Sequence, residues 1–100
     1  MKIQLRPRGL TLSRTQSVRL ERDLALALGK FADRIDQVIV SVSEGEVPGL
    51  VLCAIVVGLE SRILKVESSD TSVSLATEQA IQRVARSVSR AIEIEAMLRP

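Results

Sequence analysis

The segment LVLCAIVVGLESRILKVES, residues 50–68, contains two predicted β-strands and the turn between them. Residues 50–59 are almost continuously apolar, which is typical of a central strand that is largely covered on both faces. Glu60 and Ser61 are predicted to form a tight turn, and residues 62–68 to form the next strand. This pattern predicts an antiparallel hairpin whose first strand is central in a sheet.

Two further strands and two helices surround this hairpin. Residues 2–6 alternate between polar and apolar side chains and predict a first strand, which ends at Pro7 and Gly9. Thr11 or Ser13 can cap a helix that runs to about Phe31. Residues 37–43 predict the second strand, residues 44–49 a turn, and residues 73–98 the last helix, capped by Asp70, Thr71 or Ser72.

The predicted order is therefore β-α-β-β-β-α, an α+β fold formed as one domain over residues 1–100. The β-α-β unit predicts a parallel pair of strands, and the following strands should pair as antiparallel hairpins. Each helix has one apolar stripe, so we expect both helices to pack on one face of a four-stranded mixed sheet.

The last helix carries a row of cations. Arg83, Arg86 and Arg90 recur at i, i+3 and i+7, and therefore share one face. An apolar stripe that includes Val84 and Val88 lies about half a turn away. In the first helix, Arg19, Arg22 and Lys30 are predicted to lie opposite an apolar stripe that consists of Leu20, Leu24, Leu28 and Phe31. These six residues are the candidate RNA-binding set, and a solvated helix face without a partner is the alternative.

Composition limits the chemistry of the chain. It has no histidine, one cysteine and one aromatic residue, Phe31, and its net charge is +2. A histidine-dependent triad, a common zinc site and an internal disulfide are therefore excluded. Cys53 is predicted to be a small buried apolar group. The acidic pairs Asp33/Asp36 and Glu44/Glu46 lack a third ligand at motif spacing, so we expect no enzyme, metal or cofactor.

The sequence also constrains the cellular setting. The N-terminal residues read as a strand and lack the apolar segment of a signal peptide, and residues 50–57 are too few to span a bilayer. We therefore expect a cytoplasmic protein with no membrane or DNA partner. Ile94, Met97 and Leu98 extend the apolar character of the last helix, which leaves weak self-association open as an alternative to packing on the sheet.

Several short motifs resemble the ribosome hibernation promoting factors and ribosome-associated inhibitors, a bacterial family. The matching segments are MKIQ (1–4), GL (9–10), FADRIDQV (31–38), residues 53–66 and AIQRVAR (80–86). The resemblance implies a protein that binds the small ribosomal subunit between head and body, occupies the decoding region and inhibits translation in resting cells. It also implies RNA contacts at Arg83, Arg86 and Arg90, and less firmly at Arg19, Arg22 and Lys30.

Some residues depart from that family's pattern. The loop between the second and third strands is acidic through Glu44 and Glu46, and Ser74 replaces a tyrosine that is common early in the last helix. The end of the last helix carries Glu93 and Glu95 where a lysine-rich segment is frequent. These departures support an alternative function: a protein–protein regulatory module of the same fold with weak or lost RNA binding.

Overall fold

The structure, a computed structural model, describes residues 1–98 and confirms the predicted order of elements within them. A six-residue 3₁₀ helix, Gly29–Arg34, follows the first α-helix. The other elements are β1 (Lys2–Arg8), α1 (Arg14–Leu28), β2 (Ile35–Glu44), β3 (Val51–Leu59), β4 (Ile63–Asp70) and α2 (Val73–Leu98).

The four strands form one mixed sheet in the order β1-β2-β3-β4. As predicted, β1 and β2 are parallel, and β2, β3 and β4 pair antiparallel in sequence. The prediction that Pro7 ends β1 is wrong, because the strand continues to Arg8, which pairs with Ser43. Proline is tolerated at Pro7 because β1 is an edge strand and one side of its backbone needs no partner.

Both helices pack on one face of the sheet, as predicted. Leu24 and Leu28 of α1 and Val84 and Val88 of α2 have no exposed surface. Cys53 is buried with them and is the apolar filler that the sequence predicted. The largest fully buried side chains of the strands are Val38, Val40, Val42, Ile55 and Val57. These aliphatic side chains form one continuous core between sheet and helices.

The opposite face of the sheet is not covered by either helix. The sequence predicted that β3 would be covered on both faces, but its burial alternates: Cys53 and Ile55 are buried, whereas Ala54 and Val56 are only half-buried. The residues of β3 on the open face are apolar but only half-buried, because the neighbouring strands shield them from part of the solvent. The long apolar run does not indicate a second helical layer.

Local signals set the helix ends. The Ser13 hydroxyl accepts a hydrogen bond of 3.1 Å from the Gln16 amide, and the Gln16 side chain accepts one of 2.8 Å from the Ser13 amide, forming a capping box. Ser72 caps α2 by accepting a bond of 3.1 Å from the Leu75 amide. The first helix ends at Leu28 rather than near Phe31, because the backbone tightens into the 3₁₀ helix from Gly29 onwards.

Candidate functional site

The candidate site is built on the outward face of α2. Arg83, Arg86 and Arg90 are all exposed, whereas Val84 and Val88 on the other side of the helix are completely buried. The structure therefore places the three arginines in one row on a rigid element. Their backbone is fixed by the packing of the same helix on the sheet.

A groove of about 540 Å³ runs between α2 and β4, and all three arginines line it. Leu64 and Val66 contribute apolar surface from β4, and Ala91 and Ile94 contribute it from α2. The site is thus an apolar trough with guanidinium groups along it. Such a trough holds the arginine stems against apolar surface and leaves the charged heads in water.

A fourth arginine, Arg62, lines the same groove and is absent from the set predicted from the sequence. It lies directly after the two-residue turn, which is closed by a bond of 2.8 Å from the Leu59 amide to the Arg62 carbonyl. A cation next to a tight hairpin turn was visible in the sequence. The sequence did not show that Arg62 lies close to α2. That proximity depends on how β4 packs against a helix that begins more than ten residues later.

The arginines of the groove are free of acidic partners within the described residues. No carboxylate in residues 1–98 lies within 4.0 Å of Arg62, Arg83, Arg86 or Arg90. The one acidic residue that lines the groove is Glu67, whose carboxylate lies 3.5 Å from the Lys65 ammonium. The groove is therefore positively charged, with four guanidinium groups and one carboxylate along it.

A polar network fixes the N-terminal half of α2 to β4. The Ser68 hydroxyl donates to the Gln79 side-chain oxygen at 2.7 Å, and the Gln79 amide nitrogen donates to Asp70 at 2.7 Å. Asp70 also accepts a bond of 2.6 Å from the Thr71 amide. That backbone bond, followed by the Gln79 bond, lowers the pKa of Asp70. The network sets the position of α2 along the strand beside it.

A second set of contacts fixes the C-terminal half of α2. The Glu95 carboxylate accepts a hydrogen bond of 2.6 Å from the Ser61 hydroxyl and lies 3.7 Å from the Arg34 guanidinium. These contacts join the 3₁₀ helix, the β3–β4 turn and the end of α2. Because Ser61 precedes Arg62, they also hold Arg62 beside the groove.

The arginines of α1 lie elsewhere. Arg19 and Arg22 are exposed and lie 3.9 and 3.6 Å from the two carboxylate oxygens of Asp23. They border a shallow surface depression together with Arg14, a cation that the sequence-based set did not include. They do not line the groove between α2 and β4, so the two helices do not form one shared cationic groove.

The sixth candidate, Lys30, is not on α1, which corrects the prediction. It belongs to the 3₁₀ helix, and its ammonium lies 5.1 Å from the centre of the Phe31 ring. This is a cation–π contact, in which the ring face attracts the charge. The helix ends at Leu28, so its periodicity cannot place Lys30 in line with Arg19 and Arg22.

Two further observations concern metal-ligating and nucleophilic side chains in the described residues. Within residues 1–98, no three His, Cys, Asp or Glu side chains are grouped closely enough to hold a metal ion. Burial raises the pKa of the Cys53 thiol to about 12, which disfavours the reactive thiolate. No helix in this range is both long and apolar enough to cross a membrane.

Comparison with known proteins gives a match in structure alone. No protein-family model and no curated protein sequence matches the chain. Among solved structures, the Protein Y N-terminal domain from Thermus thermophilus is similar, with a TM-score of 0.78 and 24% identity over 90% of this chain and 98% of that one. A ribosomal subunit interface protein from Coxiella burnetii has a TM-score of 0.81 and 12% identity, over 93% and 99% of the chains. The chain therefore has the fold of these two proteins.

Proposed function

We propose that this protein is a ribosome-associated, non-enzymatic factor that binds the RNA of the small ribosomal subunit through the groove between α2 and β4. The single observation that carries the proposal is the grouping of Arg62, Arg83, Arg86 and Arg90 in that groove without a carboxylate partner in the described residues. The shared fold supports the choice of partner, because one of the similar proteins is described as a ribosomal subunit interface protein.

The chemistry of the groove favours the RNA backbone over the bases. Guanidinium groups bind phosphate oxygens in a planar, bidentate geometry. The only aromatic residue of the chain, Phe31, is half-buried beneath Lys30 and lies outside the groove. The site thus lacks a platform on which unpaired bases could stack. We infer that it recognises the shape and phosphates of folded RNA.

The proposed mode of action is occupancy. A rigid domain that lies on the RNA of the small subunit blocks messenger and transfer RNA without any chemical step, and translation stops for as long as it is bound. This is the action that the sequence resemblance implies for resting cells, and it requires a cytoplasmic protein. Arg19 and Arg22 contribute less in this proposal, because Asp23 lies beside both of them.

Cosedimentation with purified bacterial small subunits tests the proposal. The protein should bind at low salt and dissociate as the salt concentration rises, because each phosphate contact releases counterions. A plot of log affinity against log salt should have a slope of roughly −0.9 for each duplex phosphate contacted. Folded protein that binds at no ionic strength would contradict the proposed function.

The second candidate function, a protein–protein regulatory module, rests on different residues. Ile94, Met97 and Leu98 are 44%, 83% and 79% exposed at the end of α2. Glu44 is the last residue of β2, and Glu46 lies in the loop that follows it. Exposed apolar groups and an acidic loop suit a protein partner or a second copy of the chain. Sedimentation equilibrium would detect self-association, and Met97→Ser with Leu98→Ser should abolish it.

A further inference from the structure

The open face of the sheet carries a second row of cations, on β1. Lys2, Arg6 and Arg8 alternate with Ile3 and Leu5, which pack against the core. Side chains two residues apart in a strand point to the same side, so the three cations lie on the face that no helix covers. All three are exposed, and no carboxylate in residues 1–98 lies within 4.0 Å of them.

The neighbouring residues on that face suit an anionic ligand. Arg6 pairs with Ser41 and Arg8 with Ser43 in the register of the strands, so that a serine stands opposite each arginine on β2. Gln4, between Lys2 and Arg6, accepts a hydrogen bond of 3.3 Å from Arg6, and its side-chain NH₂ group makes no hydrogen bond within residues 1–98. The row thus runs Lys2, Gln4, Arg6, Arg8, with one neutral donor among three cations. The acidic Glu44 follows Ser43 and projects to the other side of the sheet.

This row lies far from the groove between α2 and β4. Strands β1 and β4 are the two edges of the sheet, three strand spacings or roughly 14 Å apart. The row is on the helix-free face, whereas Arg83, Arg86 and Arg90 belong to a helix on the other face. One flat RNA surface cannot contact both sets at once.

We propose that Lys2, Arg6 and Arg8 form a second phosphate-binding row, so that the protein lies between two separate segments of RNA backbone. The inference rests on the proposed function, because it assumes that RNA of the small subunit is the partner. It adds that binding uses both faces of the sheet layer. A two-sided contact accounts for how a protein of net charge +2 can bind RNA: two groups of cations face the RNA, and Glu67, the acidic residue that lines the groove, already lies beside Lys65.

The first test measures the salt dependence of binding to purified small subunits. Relative to wild type, Arg6→Gln/Arg8→Gln and Arg86→Gln/Arg90→Gln should each flatten the slope by about two units, roughly one for each arginine that no longer binds a phosphate. The two effects should add in the quadruple variant, because the sites are distant and share no partner. Lys65→Gln is the control: it lies on the same open face, but on β4, and its ammonium is already beside Glu67.

Edge-strand cations also prevent edge-to-edge pairing, so the Arg6/Arg8 variant could aggregate for reasons unrelated to RNA. Gln4→Glu avoids this problem, because it keeps every cation and adds a negative charge within the row. It should weaken binding at least several-fold at low salt. The same charge at Ser69→Glu, on the open face of β4, should leave binding unchanged. Equal effects of Gln4→Glu and Ser69→Glu would overturn the inference.

The second test locates the two RNA segments. A hydroxyl-radical reagent is attached to Gln4→Cys beside the β1 row, or to Gln82→Cys next to the α2 row, and buried Cys53 does not compete for it. The two derivatives should cleave different segments of the small-subunit RNA. Cleavage of the same segment, or none from Gln4→Cys, would overturn the inference and leave the α2 groove as the sole contact. Wild-type protein that does not bind small subunits would overturn the proposed function and, with it, this inference.

Discussion

The Arg83 guanidinium donates a hydrogen bond of 2.9 Å to the backbone carbonyl of Glu67 on β4. β4 is an edge strand, so this carbonyl has no strand beyond it to bond with. This bond joins α2 to β4, and it also fixes the orientation of the Arg83 side chain. Arg86 and Arg90 make no such bond within the described residues, and this difference separates the roles of three arginines that look equivalent in the sequence.

Removing the charges of Arg86 and Arg90 should impair binding and leave the fold intact. Both side chains are exposed, and surface substitutions of this kind usually change the free energy of unfolding by about 0.5 kcal/mol or less. We expect Arg86→Gln/Arg90→Gln to unfold at the wild-type denaturant midpoint, as measured by circular dichroism. Its affinity for small subunits should fall, with a flatter salt slope. An unchanged affinity would show that the row is not the contact surface.

Arg83→Gln should differ from its neighbours, because it also removes the bond to Glu67. We expect a loss of about 1 kcal/mol in the free energy of unfolding, the typical net value of one hydrogen bond, in addition to weaker RNA binding. Urea unfolding measures the difference. Arg83→Lys is the matched variant, since it keeps the charge but not the planar fork. Identical stability of Arg83→Gln and Arg86→Gln would contradict the structural role assigned to Arg83.

Val84→Asp should unfold the protein. Val84 is completely buried between α2 and the sheet, where a carboxylate would have neither water nor a cation beside it. We expect the loss of cooperative thermal unfolding in circular dichroism. Gln82→Asp, two residues earlier on the exposed side of the helix, is the control and should remain folded. A folded Val84→Asp variant would mean that α2 does not pack as described.

The Asp70 carboxylate should make stability depend on pH in the acidic range. The Thr71 amide and Gln79 side chain lower its pKa in the folded state below the unfolded value of 3.8. A lowered pKa contributes stability that is fully present above the unfolded value and is lost as the pH falls through the folded value. Wild type should therefore exceed Asp70→Asn in stability at neutral pH, and the difference should shrink below about pH 4. A difference that stays constant down to about pH 2 would contradict this.

Cys53 should report on global unfolding. Its thiol is buried and its pKa is raised to about 12, so reaction with a thiol reagent requires that the core opens. We expect negligible labelling of the native protein at about pH 8 and complete labelling in denaturant. The Gln4→Cys variant, with an exposed second thiol, provides the positive control. Fast labelling of native wild type would place Cys53 outside the core.

The sequence by itself determined the order of the elements, the extent of α2, the two-residue hairpin turn and the burial of Cys53. These features depend on local signals: apolar periodicity, the capping serine Ser72 and the Glu60–Ser61 turn residues. It also determined the shared face of Arg83, Arg86 and Arg90, because helix periodicity alone sets that. The prediction failed where the local signal was ambiguous, at Pro7 in an edge strand and at Lys30 beyond the end of α1.

Only the tertiary structure decided which cationic side chains line the same groove. Arg62 joins the α2 arginines because β4 packs beside α2, and the arginines of α1 stay outside that groove. Which face of the sheet stays open was likewise decided by the packing of both helices on the other face, and that places Lys2, Arg6 and Arg8 on an uncovered surface. Sequence periodicity fixes the side of an element on which a residue lies. The neighbours of that side depend on contacts between residues far apart in the chain, which periodicity does not encode.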